Sequence, residues 1–137
     1  MKNSTWHSFC WTWSSLDGRY HTYQDGTLVE EGEFRSGKPF VGRGMWVLGG
    51  HADTASEEEA QPNSVEMYGE MLLGEITAVN IWNKVLPYSE ILEMSKNCLS
   101  KYHGNVKSFD DFKTGARGEV QLVERSACCT AKSNLFF

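Results

Sequence analysis

The sequence predicts an all-β fold, an antiparallel β-sandwich that carries one short helix on its surface. Three observations lead to this prediction. Residues 8–33 contain three strand-like runs separated by turns, which is the pattern of a β-meander. Residues 76–81 place apolar groups on both faces of a strand, as a central strand requires. Pro87 follows shortly after, and its fixed φ and missing N–H suit the first turn of a helix.

The first half of the chain reads as consecutive hairpins. Aromatic residues dominate the first run, and Asp-Gly pairs mark both turns, because aspartate and glycine adopt the backbone angles that tight turns need. In order, the predicted strands and turns are 8–15 (strand), 16–18 (turn), 19–24 (strand), 25–26 (turn) and 27–33 (strand).

Aromatic side chains in this meander have two interpretations, a sugar-stacking platform or sheet packing. Aromatic residues at strand spacing usually pack in the core or on a sheet face, so we assign them to packing. The residues concerned are Trp6, Trp11, Trp13, Tyr20, Tyr23 and Phe34.

Three further elements follow the meander. Residues 34–44 are rich in glycine and basic residues but lack phosphate-loop spacing, so they predict an ordinary loop. Residues 45–48 predict a buried strand before the central one. The helix should run over residues 88–96, where Glu90 lies near the positive end of the helix dipole.

Composition excludes several classes of function. A length of 137 residues suits one domain. The net charge of -5 removes the electrostatic basis for nucleic-acid binding. Apolar runs such as residues 71–73 are far too short to span a bilayer, and the first residues contain no signal-peptide core. Four cysteines and a glycosylation sequon at Asn3 nevertheless suit a secreted or extracellular protein.

Several motifs, taken in order, resemble the pentraxin domain. Residues 74–86 run from Gly-Glu through Asn-Ile-Trp to Val-Leu, and residues 6–13 read Trp-His-Ser-Phe-Cys-Trp-Thr-Trp. The turns at 17–18 and 25–26 and the Leu-Gly pair at 48–49 also fall where that family places hairpin turns. The resemblance covers nearly the whole chain.

The resemblance implies a concanavalin-like jelly-roll sandwich that is incomplete at its N-terminus. Residues 1–129 would form the C-terminal part of the domain, and residues 130–137 would form a tail. In the family, the cysteine that Cys10 matches pairs with one in the upstream half. The alternative for Cys10 is a buried free thiol that packs as a small apolar side chain.

Calcium is the cofactor that the resemblance implies. In pentraxins the Leu-Gly strand end runs into a segment that helps to bind two calcium ions. Asp53 matches the family's aspartate, and the carbonyl of Ala52 matches a backbone ligand, while Glu66 and Glu70 are further oxygen donors of uncertain register. Gly50 and His51 depart from the pattern, which predicts a degenerate site, and His51 with Asp53 is only a weak zinc signal.

The C-terminal cysteines resemble those of pentraxin domains in large extracellular mosaic proteins. There a cysteine after the helix faces one that closes the domain, which implies a disulfide between Cys98 and Cys128 or Cys129, and we favour Cys98–Cys128. Such a loop of about 30 residues would stabilise the fold by roughly 3–4 kcal/mol. Cys129 and Cys10 would then be unpaired within this chain. The alternative is four reduced thiols in a cytosolic protein.

The functional prediction is recognition without catalysis. The motifs of serine hydrolases, zinc proteases and dithiol enzymes do not occur, and residues 57–59 lack the carboxylate spacing of sandwich-fold glycosidases. By resemblance, the ligands are an extracellular glycan, a phospholipid headgroup or a protein, with calcium dependence and oligomerisation left open. The alternatives are a metal-independent structural or protein-interaction sandwich and a laminin-G-like domain, which would lack the helix.

Overall fold

The computed structural model describes residues 5–40, 46–50, 72–97, 101–116, 120–124 and 126–128. The chain divides into two units, Met1–Val41 with Thr77–Phe137 and Gly42–Ile76. All regular elements of the described residues belong to the first unit. They are the strands β1 (Phe9–Trp13), β2 (Arg19–Gln24) and β3 (Thr27–Glu33) and the helices α1 (Tyr88–Lys96) and α2 (Phe109–Lys113).

The three strands form the antiparallel meander that the sequence predicts, in the order β1-β2-β3. Asp25 and Gly26 connect β2 to β3, and both have positive φ, +52° and +78°. Positive φ at both central residues gives a turn whose twist matches that of the flanking strands. Together with the two helices, this sheet confirms the predicted class, a mostly β chain consistent with an incomplete jelly roll.

One irregularity interrupts the pairing of β2 with β3. Thr22 is paired with Glu30, whereas the next residue, Tyr23, is paired with Leu28. Val29 is therefore an extra residue in β3, as in a β-bulge, which increases the local twist of the strands.

The meander has two distinct faces. Residues that are directly opposite in an antiparallel pair share a face, so the register Trp11↔Thr22 and Trp13↔Tyr20 groups the large rings. We call the face formed by Phe9, Trp11, Trp13 and Tyr20 the aromatic face. The other face, formed by Cys10, Thr12, His21 and Tyr23, is called the helix face.

Helix α1 has the predicted bounds and packs near the helix face. Its first residue, Tyr88, lies with its ring centroid 5.9 Å from that of Tyr23. Further along the helix, Ser95 and Leu92 approach the β2–β3 turn so closely that a Cβ on Gly26 would lie 2.6 Å from Ser95 Oγ. Helix α1 thus approaches the sheet at two places, Tyr23 at its first residue and the β2–β3 turn near its last turn.

The apolar core of the described residues is small. Three apolar side chains are buried there, Leu86, Ile91 and Cys128, with 6%, 2% and 6% of their surface exposed. Leu86 lies just before α1 and Ile91 lies within it, so this helix contributes most of the buried apolar side chains in the described residues. Thr12 and Ser95 are the buried polar residues in this part of the chain.

The predicted strands at residues 76–81 and 45–48 are wrong where the structure describes them. Residues 75–80 and 46–48 have no regular strand, and Ile81 makes a single antiparallel bridge with Lys107. Ala78 has a φ of +54°, which bends the backbone out of the extended conformation. The amide of Asn80 then donates to the carbonyl of Ala78 at 3.0 Å and stabilises the bend.

Helix α2 is an element that the sequence-based prediction missed. Ser108 and Asp111 form a capping box before it: the Ser108 N–H donates to Asp111 Oδ2 at 2.7 Å. Hydrogen bonds from the backbone and hydroxyl of Ser108 lower the pKa of the Asp111 carboxyl. The Ser-x-x-Asp pattern is a sequence signal for such a start, but a five-residue helix has too few turns to show an apolar periodicity.

Candidate binding site

The predicted calcium loop is described at its two ends. Ala52, Asp53, Glu66 and Glu70 lie outside the described residues, so their positions stay predictions. Gly49 precedes these residues in the sequence and Leu72 follows them, and the Leu72 N–H donates to the carbonyl of Gly49 at 2.8 Å. We call this hydrogen-bonded pair the stem. It joins the two ends of residues 51–71 within the unit Gly42–Ile76.

Backbone conformation suits Gly49 to its place in the stem. Its φ is +82°, a left-handed value that glycine adopts without strain. An added Cβ would lie 3.9 Å from Leu72 Cβ, an ordinary contact distance. The glycine is therefore required by backbone conformation, since space at this position is sufficient.

Negative charge is concentrated between the two ends of the stem. Residues 51–71 contain six of the 18 acidic residues of the chain and none of its 13 lysines and arginines. The remaining residues carry 12 acidic and 13 basic groups, so they are close to neutral. The net negative charge of the protein thus resides in this one segment, which is the kind of composition that attracts cations.

The residues that the structure describes do not assemble a metal site of their own. Among them, no group of three histidine, cysteine, aspartate or glutamate side chains is arranged to hold an ion. A calcium ion needs six to eight oxygen ligands, so the calcium prediction continues to depend on residues 51–71, which lie outside the described residues.

A polar cluster that sequence reasoning missed lies where β1 begins. His7 Nδ1 lies 2.7 Å from Asp25 Oδ2, and His7 Nε2 lies 3.0 Å from the hydroxyl of Thr5. The other oxygen of Asp25 accepts the Ser8 N–H at 2.8 Å. The hairpin register is the signal that predicts this contact, since Ser8 follows His7 and lies opposite Asp25.

This cluster has the order hydroxyl, imidazole, carboxylate, which also occurs in nucleophilic enzymes. Here the bonds of Asp25 tie the residues before β1 to the β2–β3 turn, since the Asp25 N–H also donates to the carbonyl of Ser8 at 2.8 Å. We therefore assign the cluster a structural role.

A second polar network explains the Asn-x-Trp motif. Asn80 Oδ1 accepts the N–H of Gly104 at 2.9 Å. Asn83 and Asn105 then form a reciprocal pair, in which Asn105 Nδ2 donates to Asn83 Oδ1 at 2.7 Å. A Cβ on Gly104 would lie 1.9 Å from the carbonyl oxygen of Lys107, so only glycine fits. The network joins the segment that was predicted to be a central strand to residues 104–105.

The structure describes two of the four cysteines of the chain, Cys10 and Cys128. These two cysteines are not bonded to each other, and Cys128 is buried. Burial raises the pKa of the Cys10 thiol, so at neutral pH it stays protonated and weakly nucleophilic. Cys98, Cys129 and the sequon residue Asn3 lie outside the described residues, so the Cys98–Cys128 disulfide and glycosylation stay predictions.

Neither described helix is long and apolar enough to cross a membrane. Helix α1 has nine residues and α2 has five, whereas a membrane span needs about 20.

Comparison with known proteins assigns a family. The family model described as "Pentaxin family" matches residues 1–123. The rat sushi, von Willebrand factor type A, EGF and pentraxin domain-containing protein 1 is 30% identical over 132 residues, which is 95% of this chain and 4% of that protein. The mouse neuronal pentraxin receptor is 29% identical over 129 residues, 93% of this chain and 24% of the receptor. Mouse neuronal pentraxin-2 is 29% identical over 130 residues, 90% of this chain and 28% of that relative.

The chain therefore spans less than a third of the length of each of these relatives. The match includes the β-meander, helix α1 and the Asn-x-Trp network, and it extends across the acidic segment between the stem residues. The extent of this match supports a pentraxin-like, non-enzymatic module. The chain belongs to the pentraxin family.

Proposed function

We propose that this chain is a non-enzymatic extracellular recognition module that binds carbohydrate, phospho-headgroup or protein ligands with the help of calcium. The observation that carries the proposal is the stem: one hydrogen bond joins Leu72 to Gly49 at the two ends of the segment that holds the protein's net negative charge. We also propose that residues 1–129 form the C-terminal part of a pentraxin-like domain, followed by a tail of residues 130–137.

Within this proposal, the calcium ligands come from the acidic segment. Asp53 supplies a carboxylate and Ala52 a backbone carbonyl, while Glu66 and Glu70 supply further oxygens. Hard cations prefer such oxygen donors, and calcium tolerates irregular coordination geometry. The role of the bound ion is to neutralise the carboxylates and to offer remaining coordination positions to an anionic or hydroxyl-bearing ligand. His51 supplies no oxygen, which predicts weaker binding than a full set of carboxylates gives.

Thermal unfolding of the full chain with calcium chloride or with EDTA tests the proposal. A ligand at 100 times its Kd stabilises the folded state by about 2.7 kcal/mol, which corresponds to a rise in Tm of roughly 6–12 °C for a domain of this size. Asp53→Ala should abolish the rise. The matched control is Glu75→Ala, because Glu75 is an exposed acid just after the stem. A Tm that stays unchanged at millimolar calcium would contradict the proposal.

The alternative is a structural or protein-interaction module that binds no metal. The specific observation in its favour is the aromatic face, where Phe9 and Trp11 are 67% and 44% exposed. Large exposed rings are typical of protein interfaces. The two proposals differ in chelator sensitivity, since ligand binding that persists unchanged in EDTA supports the metal-independent module.

A further inference from the structure

Two aspartate–glycine pairs occur in the chain, and both lie in turns that the structure describes. Asp17–Gly18 belongs to the turn between β1 and β2, and Asp25–Gly26 forms the turn between β2 and β3. An aspartate that precedes glycine converts to isoaspartate more readily than other aspartates, because glycine has no side chain that hinders the approach of its amide nitrogen. The same dipeptide in two different turns means that the structure decides which pair reacts.

The reaction takes place within the chain and consumes no cofactor. The glycine amide nitrogen attacks the carboxyl carbon Cγ of the aspartic acid. A C–N bond forms, and the amide proton leaves with the carboxyl hydroxyl as water. The five-membered succinimide then takes up one water molecule. Opening at one carbonyl restores aspartate, whereas opening at the other leads the main chain through the side-chain carboxyl, which is isoaspartate.

At Asp17 the carboxyl group is folded back over the peptide that follows it. Its Oδ1 accepts the N–H of Arg19, two residues on, at 3.1 Å, which is an Asx turn. In such a turn the carboxyl carbon takes the place that a backbone carbonyl carbon has in a β-turn, so it lies close to the nitrogen of Gly18. The other oxygen, Oδ2, lies 3.9 Å from Arg19 Nε, and the Asp17 side chain is 55% exposed. This oxygen can therefore leave into solvent as water.

At Asp25 both carboxyl oxygens are hydrogen-bonded to residues before β1. Oδ1 accepts the Ser8 N–H at 2.8 Å, and Oδ2 lies 2.7 Å from His7 Nδ1. Because succinimide formation removes one carboxyl oxygen, it must break one of these two bonds. The strand pair Gln24↔Thr27 also holds the turn on both sides. The structure therefore opposes the reaction at this pair.

We propose that Asp17–Gly18 is a modification site at which the folded chain forms isoaspartate, whereas Asp25–Gly26 is protected by its bonds to Ser8 and His7. Hydrogen bonds to charged groups are stronger than those between neutral groups. The loss of one such bond should make the reaction at Asp25 at least about tenfold slower than at Asp17. Since the reacting atoms of the two pairs are the same, the difference comes from the turns.

Two features slow the reaction at Asp17 without preventing it. Hydrogen bonds from the Arg19 N–H and the Ser14 hydroxyl lower the pKa of the Asp17 carboxyl, so less of it is in the protonated form whose hydroxyl leaves. The Gly18 N–H donates to the carbonyl of Ser14 at 2.8 Å and must release this bond before the nitrogen attacks. The folded chain should therefore react more slowly at Asp17 than the unfolded chain, and faster in mildly acidic than in neutral buffer.

Isoaspartate at position 17 would lengthen the main chain of the β1–β2 turn by one methylene group. The carbonyls of Ser15 and Gly18 in this turn accept the N–H groups of Gly37 and Phe34, each at 2.7 Å, so the lengthened turn would lose its fit to residues 34–37. An exposed isoaspartyl carboxyl is also the class of substrate for carboxyl methyltransferases, which transfer a methyl group to it from S-adenosylmethionine.

Trypsin separates the two pairs, because it cuts after Lys2, Arg19 and Arg35 and yields one peptide of residues 3–19 and one of residues 20–35. The full chain is kept for several weeks in mildly acidic buffer at physiological temperature and then digested. Isoaspartate is measured in each peptide by a chromatographic shift at unchanged mass and by methylation with an isoaspartyl methyltransferase. We expect at least about ten times more isoaspartate in peptide 3–19. The chain unfolded in urea should give similar amounts in both peptides.

Two variants test the reasons for this difference. Asp17→Glu should abolish the product in peptide 3–19, because glutamate would have to close a less favourable six-membered ring. His7→Phe removes one bond to Asp25, so it should raise isoaspartate in peptide 20–35 severalfold relative to peptide 3–19.

Equal amounts in the two peptides of the folded chain, or more in peptide 20–35, overturn the proposal. An unchanged ratio between the peptides in His7→Phe, or product in peptide 3–19 of Asp17→Glu, also overturns it. The proposal goes beyond the recognition function and is independent of it, because neither calcium nor a ligand takes part in the reaction.

Discussion

Gly26→Ala is expected to destabilise the protein by separating helix α1 from the β2–β3 turn. Gly26 has a φ of +78°, and an L residue in this left-handed region costs about 1–2 kcal/mol. The added Cβ would also lie 2.6 Å from Ser95 Oγ and 2.8 Å from Leu92 Cδ1. Overpacking of this kind costs about 1–3 kcal/mol. The expected total is therefore about 2–5 kcal/mol.

A hydrogen bond limits how far the Ser95 side chain can move away from the added methyl group. Ser95 Oγ donates to the carbonyl of Leu92 at 2.8 Å, and Ser95 is only 6% exposed. The hydroxyl therefore cannot rotate away from the new methyl group without losing a buried hydrogen bond, which costs about 1 kcal/mol. Part of the overlap is thus retained after relaxation.

Gly37→Ala is the matched control for backbone strain. Gly37 has a φ of +71°, close to that of Gly26, but nothing lies within 4 Å of its ideal Cβ position. This variant should lose only the 1–2 kcal/mol of left-handed strain. The difference between the variants, about 1–3 kcal/mol, measures the contact of α1 with the turn.

Urea denaturation followed by tryptophan fluorescence measures both variants. With an m-value of about 1–3 kcal/mol/M, the midpoint of Gly26→Ala should lie roughly 0.5–2 M below that of Gly37→Ala. Equal midpoints would refute the reasoning, because they would mean that α1 does not pack on the β2–β3 turn.

Two further predictions concern the C-terminal segments. Gly104→Ala should lower the free energy of unfolding by about 2–4 kcal/mol, because it breaks the three backbone hydrogen bonds between Ile81 and residues 106–107. The control Gly115→Ala should cost far less, since its Cβ would lie 3.8 Å from the carbonyl oxygen of Phe112. Equal denaturation midpoints for the two variants would contradict this prediction. Hydrogen bonds from Ser108 lower the pKa of the Asp111 carboxyl below its usual 3.8. The ionised carboxylate should therefore stabilise the start of α2 at pH values above 3.8. This stabilisation should be lost as the pH falls through the lowered pKa. The Ser108 amide resonance should therefore shift at a pH below 3.8 in an NMR titration, and a shift at or above that pH would argue against the capping box.

Local chemistry made the hairpins and α1 predictable. The Asp-Gly pair at 25–26 demands positive φ at two successive positions, and the structure has those angles. Pro87 starts a helix whose bounds match the predicted residues 88–96. In both cases the deciding interactions lie within a few residues, so the sequence pattern contains them.

The predicted central strand is wrong because its residues make contacts with partners that are distant in the sequence. Residues 76–81 have the composition of a strand, but Asn80 accepts a hydrogen bond from Gly104, 24 residues away, and Ala78 adopts a φ of +54°. No window of local sequence contains that partner. The His7–Asp25 contact is different, because the predicted pairing of β1 with β2 already brings these two residues together.

The candidate site was predictable in composition and not in geometry. The acidic residues of 51–71 are evident from the sequence. The hydrogen bond from Leu72 to Gly49 is not, because it joins positions 23 residues apart. Glycine at position 49 is a partial signal, since a left-handed φ of +82° favours that residue.

The stem also marks a boundary in the distribution of charge along the sequence. Six acidic residues and no lysine or arginine lie between Gly49 and Leu72, whereas the rest of the chain is near neutral. The field of an exposed charge extends about one Debye length, roughly 8 Å at physiological ionic strength. Carboxylates at this density enrich cations and attract basic ligands before contact, and both effects weaken as the salt concentration rises.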